Sequence, residues 1–215
     1  MHGLAGRGAM SDSLNNKDNM QKKTLRQHYA NLLKEAFPCV SLLAPSMAVL
    51  FNSEQSFMGA SLLAGFIPIK HEPGILPILS EHLASGRRLL LPVFDKDKGE
   101  YAMAQVRALD GKWLETGNYG IREPLHSMPK RQPPFAFNEK ALWLVPGVAF
   151  ALDGMRLGRG GGYYDRLLQG TDAIKIGVAF NCQIGDSLPS QPHDIHMDYL
   201  LTETRIINCK EHRKA

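Results

Sequence analysis

Four glycines and an arginine fill Gly158 to Gly162, inside the string "RLGRGGGYYD" that runs from Arg156 to Asp165. Glycine loses more conformational freedom on folding than any other residue, so such a run marks a backbone that something must approach closely. Exposed N–H groups followed by a helix start make a cradle for an anion. Arg156 and Arg159 add forked donors that suit phosphate oxygens. The Walker spacing, ending in Gly-Lys-Ser/Thr, is absent. A dinucleotide G-x-G-x-x-G also fails, since counting from Gly158 the sixth position is Tyr163. A tight turn that merely lets a helix pack near a sheet is the competing reading. The two arginines and "GYYD" favour a phosphate-bearing ligand over it.

Carboxylates come next. Asp165, three residues past Gly162, is a candidate magnesium ligand or a first-turn helix charge. A second group, "HDIHMD", holds His193, Asp194, His196 and Asp198 and reads either as a polar surface loop or as a metal contributor. Magnesium takes one or two carboxylates plus phosphate oxygens, so Asp165 with Asp194 would suffice. Upstream, Lys22, Lys23 and Arg26 in "KKTLR" could share a helix face, as a solvated stripe or as phosphate contacts.

Those residues must be carried by ordered elements. Leu25, Tyr29, Leu32, Leu33 and Ala36 recur at helical spacing, predicting a helix from Asn19 to Phe37 that ends at Pro38. A second helix is predicted over 45–55, a buried strand in "SLLAGFIPI", a helix in "LPILSEHLASG" and a strand in "RRLLLPVF". "YAMAQVRAL" is expected to face "KWLETG" as a hairpin across Asp110 and Gly111. "GIREPLHSMPKRQPPFAF" reads as an ordered surface connection. "ALWLVP", "IKIGVAF" and "DYLLTETRII" are further strands, with a helix over 162–169. Strands alternating with helices predict an α/β fold, a three-layer α/β/α sandwich on a mostly parallel sheet. In such folds ligands sit beyond the carboxyl ends of strands, which is where the loop after "ALWLVP" falls.

Composition narrows the field. With 215 residues the chain can bury one sizeable core, and residues 21–208 are expected to form a single domain. Residues 1–20, polar and lacking an apolar signal core, are expected to be disordered, with Met10 or Met20 as alternative starts. Residues 209–215 read as a basic tail. Pro45, Gly65, Pro68 and Arg87 interrupt every long apolar stretch, which argues against a membrane span. The net charge of +4 is concentrated toward the ends without interleaved aromatics, so small anions account for it better than nucleic acid. Cys39, Cys182 and Cys209 are odd in number and far apart. They give no disulfide framework or zinc site and fit a reducing, cytoplasmic setting.

Taken together, "LVPGVAFALDGMRLGRGGGYYDRLL", "KKTLR", "GFIPIKHEP" and "DIHMDYLLTE" resemble the 5-formyltetrahydrofolate cyclo-ligase family over roughly residues 22–207. The resemblance implies a Rossmann-like sandwich similar to the sugar-isomerase/CoA-transferase-like fold. It also implies ATP- and Mg2+-dependent conversion of 5-formyltetrahydrofolate to 5,10-methenyltetrahydrofolate, with release of ADP and phosphate. By the same resemblance Lys22, Lys23, Thr24, Leu25 and Arg26, together with Arg156, Leu157, Gly158, Arg159, Gly160, Gly161, Gly162, Tyr163 and Tyr164, hold the nucleotide. Asp165 and Asp194 match the magnesium positions. Ile69, Glu72, Gly74, Tyr119, Arg159 and Tyr163 fall where relatives contact the folate, and Arg159 and Lys22 are the candidate catalytic groups. The implied partner is one small molecule, with or without a polyglutamate tail, on a monomer. Two departures stand out. Gly161 replaces a lysine found in some relatives, and Gly74 replaces an acidic residue that would meet the pterin. A sugar-phosphate isomerase and a non-catalytic nucleotide- or folate-binding module are the alternatives on a similar scaffold.

Overall fold

The computed structural model describes residues 6–40, 43, 45–117, 120–137, 139–191 and 194–213, with side chains of the first helix described over 18–39. Among the described residues there are four α-helices: α1 (Gly6–Val40), α2 (Ser46–Ser53), α3 (Leu76–Ala84) and α4 (Tyr163–Leu167). The strands are β1 (Leu62–Ala64), β2 (Arg88–Asp95), β3 (Glu100–Val106), β4 (Leu114–Thr116), β5 (Arg122–Pro124), β6 (Lys130–Arg131), β7 (Ala141–Pro146), β8 (Ala149–Ala151), β9 (Arg156–Leu157), β10 (Ile174–Val178), β11 (Ile184–Gly185), β12 (Tyr199–Leu201) and β13 (Ile206–Asn208).

Eight strands form the central sheet in the order β13-β12-β10-β7-β1-β2-β3-β6. Its middle, β12-β10-β7-β1-β2, is parallel throughout, and antiparallel strands close both edges. Period-two alternation sends successive side chains to opposite faces. Leu142 and Leu144 of β7 join Leu63, Leu89, Leu91, Ile176 and Val178 against Met47, Phe51, Ile78 and Leu79 of α2 and α3. Ala141, Trp143 and Val145 face the other way, onto Phe135, Phe137, Phe150, Leu167 and Leu168. The mixed α/β architecture matches the expectation. The second covering layer, however, holds no long helix among the described residues: the short α4, Phe150 of β8 and irregular chain make it up.

Several segments differ from their sequence reading. Helix α1 begins at Gly6 rather than near Asn19, with no proline between them, so much of the stretch expected to be disordered is helical. It also runs through Pro38, which removes the backbone donor that would bond to the Lys34 carbonyl shortly before the helix ends. Strand β3 pairs with β2 from Leu89↔Val106 to Asp95↔Glu100, not with "KWLETG". The reason is the turn after Asp95, whose carbonyl accepts from Lys98 and Gly99 N–H. The Asp110–Gly111 turn leads instead into β4, which pairs with β5. "DYLLTETRII" is two strands, split where Thr202 N–H donates to the Arg205 carbonyl. The expected basic tail starts as a 3-10 helix, Cys209–His212, with Cys209 buried and Arg213 donating to the Asp153 and Met197 carbonyls.

Candidate active site

The carboxyl ends of β1 and β7 open onto a cavity of about 550 Å³, walled by the segments that follow them and by the loop Gly158–Gly162. Helix α1 closes one side. Lys22, Leu25, Arg26, Tyr29, Leu32, Leu33, Ala36 and Phe37 are its inward residues, spaced three or four apart. Lys22 and Arg26, one turn apart, therefore both reach the cavity. Lys23, about 100° away, lies with Thr24 in solvent.

The glycine loop is shaped by its backbone. Gly160 has φ of +102° and Gly162, at the N-cap of α4, has φ of +64°; both lie in the left-handed region that favours glycine. Arg26 Nε donates to the Gly158 carbonyl at 2.8 Å, tying the loop to α1. Helix α4 spans only five residues, shorter than the sequence suggests, so anion binding there falls to the loop and the arginines more than to a helix dipole.

Charge in this half is organised as cation–carboxylate pairs. Lys22 Nζ meets Asp194 at 2.8 Å, Arg156 meets Asp165 at 2.8 Å, and Arg159 meets Glu72 at 3.0 Å. Arg156 is enclosed, its side chain only 5% exposed, and it lies 5.6 Å from the Tyr164 ring centre. Its Nε is buried with no protein acceptor among the described residues. Arg159 is 62% exposed and spans the cavity mouth. Burial, reinforced by the Glu72 carboxylate, raises the Tyr164 hydroxyl well above the usual phenol range against the opposing pull of Arg156. That hydroxyl stays protonated at neutral pH.

The rest of the lining is mainly apolar, with Arg122 and Glu123 as its charged members. Phe66, Ile67, Pro92 and Ile121 line it with Tyr101 and Tyr163, whose rings meet edge to face at 4.8 Å. Glu123 of β5 also reaches this wall, accepting hydrogen bonds from Phe94 N–H at 3.0 Å and the Tyr101 hydroxyl at 3.2 Å. Apart from Tyr163, these residues come from four separated segments and were not among the sequence candidates. The only local signal was the turn chemistry that makes β3 fold back on β2.

Of the sequence candidates, Lys22, Arg26, Ile69, Glu72, Asp194 and the whole run from Arg156 to Asp165 line this cavity. Leu25 packs behind it, and Lys23 and Thr24 do not reach it. Gly74 is exposed and away from the cavity wall. Tyr119 and His193 lie outside the described residues. For the cysteines, burial raises the Cys182 thiol and pushes Cys209 up to about 12, which leaves both protonated and unreactive at neutral pH.

An α/β fold with a polar-to-apolar cleft at the carboxyl ends of parallel strands is the architecture of a small-molecule enzyme. The sequence model of the 5-formyltetrahydrofolate cyclo-ligase family matches residues 16–203, and the chain belongs to that family. A Mycolicibacterium smegmatis 5-formyltetrahydrofolate cyclo-ligase is 34% identical over 149 residues, covering 66% of this chain and 74% of the relative. The Escherichia coli K12 cyclo-ligase is 28% identical over 151 residues, 68% of this chain and 80% of the relative. The solved structure of Aquifex aeolicus 5,10-methenyltetrahydrofolate synthetase superposes with a TM-score of 0.72 at 30% identity, covering 90% of this chain and 95% of that one. Membership sets aside the sugar-phosphate isomerase alternative.

Proposed function

We propose that this chain converts 5-formyltetrahydrofolate and ATP to 5,10-methenyltetrahydrofolate, ADP and phosphate with the help of Mg2+. The observation that carries this reading is the two-ended cavity: a glycine loop with three ion pairs at one end and an aromatic wall at the other, in a member of this family. Triphosphate suits the first end, and a flat pterin the second.

The N5-formyl oxygen is a poor leaving group. Its attack on the γ-phosphoryl of ATP expels ADP and gives an iminium phosphate; N10 of the same folate then attacks the formyl carbon, phosphate departs and the N10 proton is lost. Because the attacking nitrogen belongs to the same molecule, positioning supplies an effective molarity of about 10⁵ M or more. No side-chain nucleophile is needed. Phosphoryl transfer instead asks for cations on the transferring oxygens and for alignment.

Arg159 and Lys22 supply those cations, with Arg26, Arg156 and the N–H groups of Leu157–Tyr164 holding the remaining oxygens. For this Lys22, Arg156 and Arg159 exchange their carboxylate partners for phosphate. The carboxylates so released, Asp165 and Asp194, fit a magnesium ion. Asp165 gives one oxygen to Arg156, and its other oxygen has no protein partner among the described residues. No group of three or more His, Cys, Asp or Glu side chains arranged to hold a metal occurs among the described residues, as expected of a cation that completes its shell with phosphate and water. When bound, that ion neutralises phosphate charge. Ile69, Glu72 and Tyr163 border the formyl group, and Leu25 with Lys23 and Thr24 forms the helix turn that aims Lys22 and Arg26. All of these groups come from residues 21–208 of one chain, which supports a single-domain monomer. Free cysteines suit a cytoplasmic setting, and no helix among the described residues is long and apolar enough to cross a membrane.

The test is growth of the methenyl chromophore when purified protein meets 5-formyltetrahydrofolate, ATP and Mg2+. Appearance that requires all three supports the reading. A folded protein that gives no chromophore at saturating substrate overturns it and leaves a binding module.

A further inference from the structure

Among the carboxylates around the cavity, Glu123 differs in its partners. Asp194, Asp165 and Glu72 each neutralise a lysine or arginine. Glu123 is 2% exposed and meets only two neutral donors, Phe94 N–H and the Tyr101 hydroxyl, one on each carboxylate oxygen. No lysine, arginine or histidine pairs with it among the described residues. A carboxylate buried without a counter-charge is costly to keep. Each of its oxygens still has an acceptor site beyond the one in use. Room for the side chain is also specific: a Cβ on Gly117 would lie 2.5 Å from the Glu123 carboxyl carbon.

Its position gives that acceptor capacity a direction. Glu123 reaches the cavity on β5, in a lining shared with Ile121, Arg122, Tyr101 and Pro92, and pairs with none of the arginines there. The flat head of a folate carries two adjacent donors on one edge, the 2-amino group and the N3–H, which a carboxylate accepts side by side. The other acids do not offer this. Gly74 has no side chain and lies in solvent, while Glu72 holds Ile69 N–H at 3.1 Å on one oxygen and turns the other to Arg159 of the glycine loop, on the phosphate side.

Resting on the folate reading above, we infer that Glu123 is the residue that recognises the 2-amino/N3–H edge of the pterin and so fixes which way round the folate enters. Phe94 N–H and Tyr101 hold the carboxylate in the plane of the incoming ring. The buried negative charge is compensated when the pterin's donors arrive.

The experiment measures direct binding of 5-formyltetrahydrofolate, and of its analogue with hydrogen in place of the 2-amino group, to wild type, Glu123→Gln and Tyr101→Phe. Gln keeps the size of the side chain and can still accept from Phe94 N–H; thermal unfolding checks that it folds. Wild type is expected to prefer the natural folate by roughly tenfold or more, and Glu123→Gln to lose most of that preference while ATP binding is unchanged. Tyr101→Phe, which leaves Phe94 N–H on the carboxylate, is expected to weaken both folates and to reduce the preference much less than Glu123→Gln does. An unchanged preference in Glu123→Gln, or the same loss in Tyr101→Phe, overturns the assignment. Because binding is read without turnover, a wild type that prefers the 2-amino folate yet makes no methenyl product overturns the cyclo-ligase reading alone. A wild type that binds neither folate overturns both.

Discussion

The two ends of the cavity are built in opposite ways. The charged end is one contiguous loop, Gly158–Gly162, latched to α1 through Arg26 and balanced by ion pairs to carboxylates 9, 87 and 172 residues away in sequence. The apolar end is a wall assembled from β1's exit, β2, β3 and β5, with one uncompensated carboxylate. The first end binds by swapping partners and needs side chains that are already charged and can let go. The second binds by shape and needs side chains held still. Substitutions at the charged end should therefore act on turnover and nucleotide, and those at the apolar end on folate and stability.

The sharpest way to break that contrast is Arg159→Ala. Removal of a donor to the transferring phosphoryl is expected to lower kcat by about 10²–10³-fold with little change in melting temperature, since the side chain is mostly exposed. Turnover near the wild-type value in steady-state assays would remove Arg159 from the chemistry.

Phe66→Ala probes the other end. Phe66 is buried in the core beneath the wall, so its truncation should cost about 3–5 kcal/mol in denaturant unfolding. Weaker folate binding should accompany this, with nucleotide affinity retained. An equal loss of nucleotide affinity would show that the two ends are not separable.

A smaller effect is expected from Asp165→Asn, which keeps a partner for Arg156 while weakening any cation contact. The Mg2+ concentration at half-maximal activity should rise about tenfold. An unchanged metal titration would count against this ligand.

The smallest effect lies in α3, away from both ends. Burial lowers the pKa of His82 below its ordinary 6.5, opposed by a hydrogen bond to the Arg88 carbonyl, with Arg87 adding to the lowering. The folded state thus prefers neutral His82. Its contribution is present above pH 6.5 and is lost as pH falls through that value toward the folded pKa. Melting curves from about pH 7.5 to about pH 5.5 should decline slightly in wild type and less in His82→Gln. Parallel declines would contradict this.

The same contrast explains what the sequence reveals. The glycine loop, its arginines and Asp165 are adjacent residues whose spacing carries the chemistry, and Lys22 and Arg26 follow from helical period. The strands β2, β7 and β10 are legible because they are continuous apolar runs of a parallel sheet. Glu123 is not. In "GIREP" it looks like any surface charge, and its burial follows only when β5 pairs with β4 and Tyr101 arrives on β3. The misassigned partner of β3 has the same root, since two turn-forming segments, "DKDKG" and "LDGK", flank that strand and local chemistry does not choose between them. The start of α1 is not legible because polar, glycine-containing composition resembles disorder even where the chain is helical.

The central claim is that both ends serve one reaction, with ATP consumed only to activate a folate already in place. It is tested most directly by measuring ADP and the methenyl chromophore in the same reaction. Equal amounts of the two, with no ADP formed when 5-formyltetrahydrofolate is omitted, are predicted. Chromophore without ADP, or ATP hydrolysis that proceeds without folate, would contradict it.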